Sequence, residues 1–259
     1  MLRPRLIPVL LVHQRGLVKT RKFADPKYVG DPLNAVRIFN EKEVDEIVVI
    51  DIDATRERRE PDYSMIGKLA SECRMPLCYG GGVKSPEQVE RIIRLGVEKV
   101  AVSSAAIADE EMVVESARRV GGQSIVIVLD VKKAGFLTKR YELFTHNGST
   151  ATGIHPVDFA RRMQELGAGE ILLNSIDRDG TGEGYDLPLV DEVRREVSLP
   201  LTVLGGAGSL DDVQDLVRRY GVIGAAAGSM FVFKGKYRAV LIQYPSRSEK
   251  DRFTRAVSL

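Results

Sequence analysis

The chain has 259 residues, 44% of them hydrophobic, with 24 glycines, which suits one large α/β core. Its 38 Lys and Arg against 36 Asp and Glu leave a formal charge of +2, excluding a strong basic field and, with it, nucleic acid as the expected partner. With 3 His and 2 Cys, metal-ligating residues are too few and too scattered for a zinc site, so neither metal nor cofactor is expected. Cys73 and Cys78 read as free thiols, and no apolar run approaches the length of a membrane span, so the expectation is a cytoplasmic protein with no membrane partner.

The first predicted element is the strand "RLIPVLLV". Alternation puts Arg5 on one face with Ile7, Val9 and Leu11. Leu11 ends that face, where a barrel enzyme usually presents a catalytic acid or base, and a leucine moves no protons. A long basic loop follows, on which Lys19 is placed to close over an anion. After the amphipathic stretch "DPLNAVRIFNEKE" comes the strand "EIVVIDID", opened by Glu46, and then "MPLCYGGG", which ends in Gly80-Gly81-Gly82. The helical pattern "SPEQVERIIRLG" leads into "VEKVAVSS", with Lys99 near its start and Ser103-Ser104 at its end.

The fifth strand, "SIVIVLDV", carries Asp130 in phase with Val126 and Val128, so the carboxyl faces the bore or mouth, where burial tunes it as an acid or base. "HPVDFARRMQELG" is helical and precedes "EILLNSID", where Glu170 shares a face with Leu172 and Asn174. The loop "SIDRDGTGEGYD" brings Asp177, Asp179 and Gly180 to the same rim. Asp179 either contacts a phosphate or hydroxyls or caps its own turn. "LPLTVLGG", the helix "SLDDVQDLVRRYG" and "VIGAAAGS" complete the series.

Eight such strand–helix units without a low-complexity linker imply a single closed parallel (βα)8 TIM barrel over 1–259; a doubly wound sheet is the alternative. The sequence also repeats. "MPLCYGGGVKSPEQVERIIRLGV" aligns with "LPLTVLGGAGSLDDVQDLVRRYGV" at an offset of 124, which sets Asp53 on Asp177 and Ser104-Ala105 on Gly228-Ser229. Two half-barrels, about 1–120 and 121–245, with a C-terminal tail over about 246–259, produce this pattern. The loops after strands 7 and 8 then form one phosphate cradle from Gly206, Gly228 and Ser229, as barrels commonly do. The repeat adds a second from Gly81, Gly82, Ser103 and Ser104. Two opposed cradles suit an elongated ligand with a phosphate at each end; tight turns alone are the plainer explanation for the glycines.

Arg5, Glu46, Lys99 and Glu170 each stand at the start of an apolar strand. If their faces point inward, two cations and two anions close the N-terminal end of the bore as a neutral ring. Buried charges persist when paired, and paired charges can part to pass a small neutral molecule.

The segments "IPVLLV…GLVK", "DIDAT", "PLCYGGGVKS", "EKVAVSSAA", "LGAGEILLNSIDRDGTGEGYD" and "GGAGS" resemble, over essentially the whole chain, the cyclase subunit of imidazole glycerol phosphate synthase. The resemblance implies a glutaminase subunit docked under the barrel and ammonia travelling up the bore to a bisphosphorylated substrate. It assigns the gate to Arg5, Glu46, Lys99 and Glu170, the mobile-loop lysine to Lys19 and the second catalytic aspartate to Asp130. It also assigns phosphate contacts to Gly82, Ser104, Asp179, Gly180, Gly206, Gly228 and Ser229.

The family's first catalytic aspartate falls on Leu11. Ser103, Asn174 and Leu204 stand where the family has Asn, a small hydroxyl residue and, usually, Ser. "GLVKTRKFADPKYVGDP", "NAVRIFNEKEVDE", "SEC" and "GSMFVFKGKYRAVLIQYPS" are similar instead to a paralogous branch associated with turning an acetamido group of surface sugars into an acetamidino group. That branch implies a glutaminase and a separate ATP-using amidotransferase as partners. Three functions stay open: an ammonia-conducting synthase subunit for sugar amidination, a cyclase in which Asp53 or Asp177 replaces the lost acid, and a non-catalytic sensor of a phosphorylated ligand that regulates a glutaminase.

Overall fold

A computed structural model describes residues 3–135 and 139–255. Eight strands form the barrel: β1 (Arg5–His13), β2 (Ile47–Asp51), β3 (Leu77–Gly80), β4 (Lys99–Val102), β5 (Ile125–Ala134), β6 (Glu170–Ser175), β7 (Leu201–Leu204) and β8 (Gly224–Ala227). Each pairs in parallel with the next, β5 with β6 included, and β8 pairs with β1 to close the ring. The expected (βα)8 TIM barrel is therefore the observed fold, and no doubly wound sheet forms.

The helices are α1 (Pro32–Glu41), α2 (Tyr63–Glu72), α3 (Pro86–Arg94), α4 (Glu111–Val120), α5 (Pro156–Glu165), α6 (Leu187–Glu196), α7 (Leu210–Tyr220) and α8 (Arg247–Arg255). Their starts are encoded locally. Asp31, Asp62, Ser85, Asp186 and Ser209 each cap a helix by accepting a backbone N–H with the side chain, and proline occupies the first turn of α1, α3, α5 and α6. Apolar faces of these helices pack on the outside of the strands, among them Val36, Phe39, Ile92, Met163 and Leu216, all fully buried. A second, smaller apolar compartment fills the bore with Ile7, Val9, Val48, Cys78, Ala101, Val126, Leu172 and Ala226. Outer and inner sets alternate along each strand, the period-2 pattern that made the strands visible. Residues 247–255, expected only as a tail, form α8, which Lys250 ties to Asp45 at 2.7 Å.

The half-barrel correspondence needs one adjustment. β3 and β7 are related by 124 positions, but α7 is two residues longer than α3. Downstream, β4 and β8 are related by 125 (Lys99 to Gly224), as are the short helices Ser104–Ala108 and Ser229–Val232. Ser103 therefore matches Gly228 and Ser104 matches Ser229, one residue away from the pairing at constant offset.

Beyond the barrel, β1 continues into a hairpin of Gly16–Arg21 and Ala24–Gly30. The expected long loop is a folded flap. A second extension, Arg140–Thr145, pairs antiparallel with the end of β5. Among the described residues no helix is long and apolar enough to cross a membrane, and no cluster of three or more His, Cys, Asp or Glu is placed to hold a metal ion.

Candidate functional site

The inward faces of β1, β4 and β6 and the residue before β2 bring Arg5, Lys99, Glu170 and Glu46 together at the N-terminal end of the bore. Lys99 Nζ donates to Glu46 Oε1 at 2.9 Å and to Glu170 Oε2 at 2.8 Å. Arg5 Nη2 donates to Glu170 Oε1 at 2.7 Å, and Arg5 Nη1 bonds Glu46. Each cation touches both anions. Sequence reasoning missed a fifth member: Thr202 donates its hydroxyl to Glu170 Oε1 at 2.6 Å. The signal was available, since Thr202 is a polar residue inside the apolar run of β7 and in phase with Leu204.

Burial alone would discharge these groups, and the ring reverses it. Burial pulls the Arg5 and Lys99 pKa values down, but hydrogen bonds and charges from Glu170 and Glu46 leave both raised. Burial pushes Glu170 up, but Arg5 and Lys99 bring it below the ordinary carboxylate range. All three shifts favour the charged state.

The C-terminal mouth encloses a cavity of about 440 Å³. Its floor is apolar: Leu11 and Ile50 lie side by side on β1 and β2, joined by Val128, Leu172 and Leu204. Asp130 enters this cavity from β5. Asn174, its register partner on β6, donates from Nδ2 to Asp130 Oδ1 at 2.8 Å. Burial raises the Asp130 pKa to about 6, against the hydrogen bonds of Asn174 and Ser103, which lower it. A carboxyl with that pKa exchanges protons readily near neutrality. Leu11 lines the same cavity and offers it only methyl groups.

Lys19 is buried in the first strand of the flap, not carried on a mobile loop. Its ammonium reaches back into the mouth to the carbonyl of Val9 and lies beside Gly228, where an added Cβ would sit 3.1 Å from Nζ. Burial lowers its pKa to about 8, partly offset by the charge of Asp179. Both cradles reach the cavity: Gly82, Ser103 and Ser104 from one side, Gly228 and Ser229 from the other.

Two expected phosphate positions, Gly180 and Gly206, are absent from the lining. A Cβ on Gly206 would come within 2.0 Å of the Gly184 carbonyl, so close backbone packing already requires a glycine there. The carboxylate of Asp179, which does line the cavity, accepts from Thr20 Oγ1 at 2.8 Å and the Phe23 backbone N–H at 3.1 Å. It fastens the flap across the mouth.

The candidate replacement acids are engaged outside the lining. Asp53 is buried against His13 Nδ1 and the Gln14 N–H, both at 2.8 Å, and Asp177 accepts the Lys133 N–H at 2.9 Å.

The sequence that builds this site matches a known family. The family model described as "Histidine biosynthesis protein" matches residues 5–238. Two relatives are named "Putative imidazole glycerol phosphate synthase subunit", HisF in Leptospira interrogans and hisF3 in Vibrio vulnificus. The chain is 56% identical to the first over 251 residues, covering 97% of this chain and 98% of the relative, and 58% identical to the second over 252 residues, covering 97% and 96%. The imidazole glycerol phosphate synthase subunit HisF of Hyphomonas neptunium is 42% identical over 233 residues, 90% of this chain and 91% of the relative. With barrel, ring and mouth in place and similarity running nearly end to end, the chain belongs to the histidine biosynthesis protein family as a HisF-like barrel.

Proposed function

We propose that this barrel is the ammonia-conducting synthase subunit of a glutamine-dependent amidotransferase complex. A glutaminase docks beneath the N-terminal face, and ammonia enters where the Arg5–Glu46–Lys99–Glu170 ring parts. It then crosses the apolar bore and emerges at the mouth for amidination of an acetamido group on a surface-polysaccharide sugar. An ATP-using amidotransferase transfers a phosphoryl or adenylyl group to the amide oxygen, so that ammonia attacks the amide carbon and the oxygen leaves as phosphate or AMP. In this reading the complex is cytoplasmic, the cradles hold a phosphorylated small molecule, and Lys19 supplies it a cation.

The observation that carries this reading is Leu11. It stands in the cavity facing the same space as Asp130, where the family's two-carboxylate chemistry needs a second acid, while the ring and bore are complete. Removing one member of an acid–base pair costs on the order of 10²–10⁴ in rate. The test supplies purified barrel with the bisphosphorylated aminoimidazole substrate of the cyclases and free ammonium at mildly alkaline pH, which bypasses any glutaminase. No turnover is expected, with partial activity appearing in Leu11→Asp. Turnover at ordinary enzymatic rates by the unaltered chain overturns the proposal.

A genuine cyclase is the second reading, and one observation favours it: Asp130 is half-buried, hydrogen-bonded and poised near pH 6. Full turnover by the unaltered chain, abolished in Asp130→Asn, would establish it.

A further inference from the structure

Six large hydrophobic side chains stand exposed among the described residues, and four lie on two adjoining hairpins: Tyr28 on the flap, and Tyr237, Val240 and Leu241 on or just after the hairpin of Phe233–Lys234 and Ala239–Val240. Tyr237 is 89% exposed and Leu241 52%. The hairpins meet at one ring: Lys27 Nζ lies 5.3 Å and the Arg238 guanidinium 4.5 Å from the centroid of Phe233. This flank sits at the mouth end of the barrel, because the flap extends β1 past the cavity and Phe233 directly follows the short helix after β8.

Its charge is lopsided. The two segments, 16–30 and 233–241, expose Arg21, Lys22, Lys27, Lys234, Lys236 and Arg238 and contain a single acid, Asp25. None of these six cations has an ion-pair partner among the described residues, although the protein elsewhere pairs cations with acids freely. Two of them, Lys27 and Arg238, are held over one aromatic ring, and neither is ion-paired among the described residues. A concentrated positive patch on a chain of net charge +2 is a local feature.

From this arrangement we infer that the flank is a docking surface for a second protein, one that presents an acidic rim around an apolar centre. Exposed aromatic and aliphatic anchors surrounded by unpaired charge are the anatomy of a specific protein interface. The unpaired cations fix the sign of the partner by complementarity and steer its approach. A second copy of this chain docking patch to patch would set six cations against six, so self-association through this face is disfavoured. The surface lies at the opposite end from the charged ring. A protein seated here borders the mouth and leaves the underside free, so one barrel can hold two different partners at once.

The test places a photo-crosslinking phenylalanine at Tyr237 of the full chain, expressed in its own cell, with the same probe at Ile38 on α1 as the control site. The expected result is one protein adduct absent from the control, distinct from the glutaminase, with crosslinked peptides rich in Asp and Glu. The paired substitutions Lys234→Glu and Lys236→Glu should lower its yield at least tenfold without changing the circular dichroism of the barrel. Lysines at the crosslinked acids of the partner should restore it. An adduct with nucleic acid or with a second copy of this chain, a yield indifferent to charge reversal, or no adduct above the control overturns the inference. The conduit reading is judged separately by the Leu11 assay, so either idea can fail alone.

Discussion

At the N-terminal end of the bore, two cations and two carboxylates satisfy one another within a few ångströms, and Thr202 takes up one more carboxylate lone pair. At the C-terminal end the Asp130 carboxyl sits over leucines, half-satisfied by Asn174 and without a cation in contact, while Asp179 lines the same cavity. Both ends bury acids against apolar walls, yet burial raises the pKa of one carboxyl and is overruled at the other. Cations in contact decide the outcome. The ring is built to stay charged, and the mouth is built so that its acid can change state.

The contrast is most exposed to failure at Glu170. Glu170→Gln leaves Arg5 and Lys99 sharing one carboxylate in a largely dry site, and breaking a buried pair in this way costs about 3–5 kcal/mol. Urea unfolding at pH 7 should show that loss. A change under 1 kcal/mol would mean that the ring is well hydrated and that its two-sided pairing does not matter.

Asp130→Asn should move stability the other way. The Asp130 pKa is raised in the folded state to about 6, so its destabilising contribution is absent below the unfolded value near 4. It grows as pH rises through 6 and is complete above it. The variant should therefore be more stable than the parent by about 3 kcal/mol at pH 8, and the difference should vanish below about pH 4. A pH-independent difference would mean that Asp130 ionises as if in water. Asn174→Leu removes the hydrogen bond that lowers the Asp130 pKa and should raise it further, read by carboxyl NMR.

Lys19 offers a ligand-based version of the same contrast. Its pKa near 8 means that inorganic phosphate bound in the mouth should weaken as pH rises above 8, by at most about tenfold per unit. Lys19→Met should flatten that slope. The smallest effect belongs to Thr20→Val, which removes one hydrogen bond to Asp179 worth about 1 kcal/mol. Faster amide exchange in residues 18–30, with the barrel strands unchanged, is the expected signature.

The barrel was legible because its strands are short apolar runs ended by Gly, Ser or Asp, and its ring because parity alone places Arg5 and Glu170 inward. Leu11 was legible because a strand end is a chemically marked position. The flap was not. Its outer strand, "ADPKYVG", is exposed or half-exposed throughout and has a positive-φ Asp25 before its proline, so no buried face marks it. The role of Asp179 was equally hidden, because its partners come from a segment 156–159 positions away, a separation no local pattern encodes. At Gly206 the sequence signal is ambiguous in kind, since a glycine needed for backbone packing against Gly184 reads the same as one needed for a ligand.

The strand Ala24–Gly30 pairs only with its neighbour Gly16–Arg21, and its far side meets no other strand among the described residues. A closed barrel has no edges, so this flap adds a free border to the sheet, as the Arg140–Thr145 extension does elsewhere. That border is blunted: Pro26 has no amide hydrogen to offer, and Asp25 and Lys27 flank it with charge, devices that discourage strand-on-strand growth. These devices work against polymerisation through an open sheet edge that lies over the cavity. Any neighbour that settles on this side will recognise side chains rather than extend the sheet.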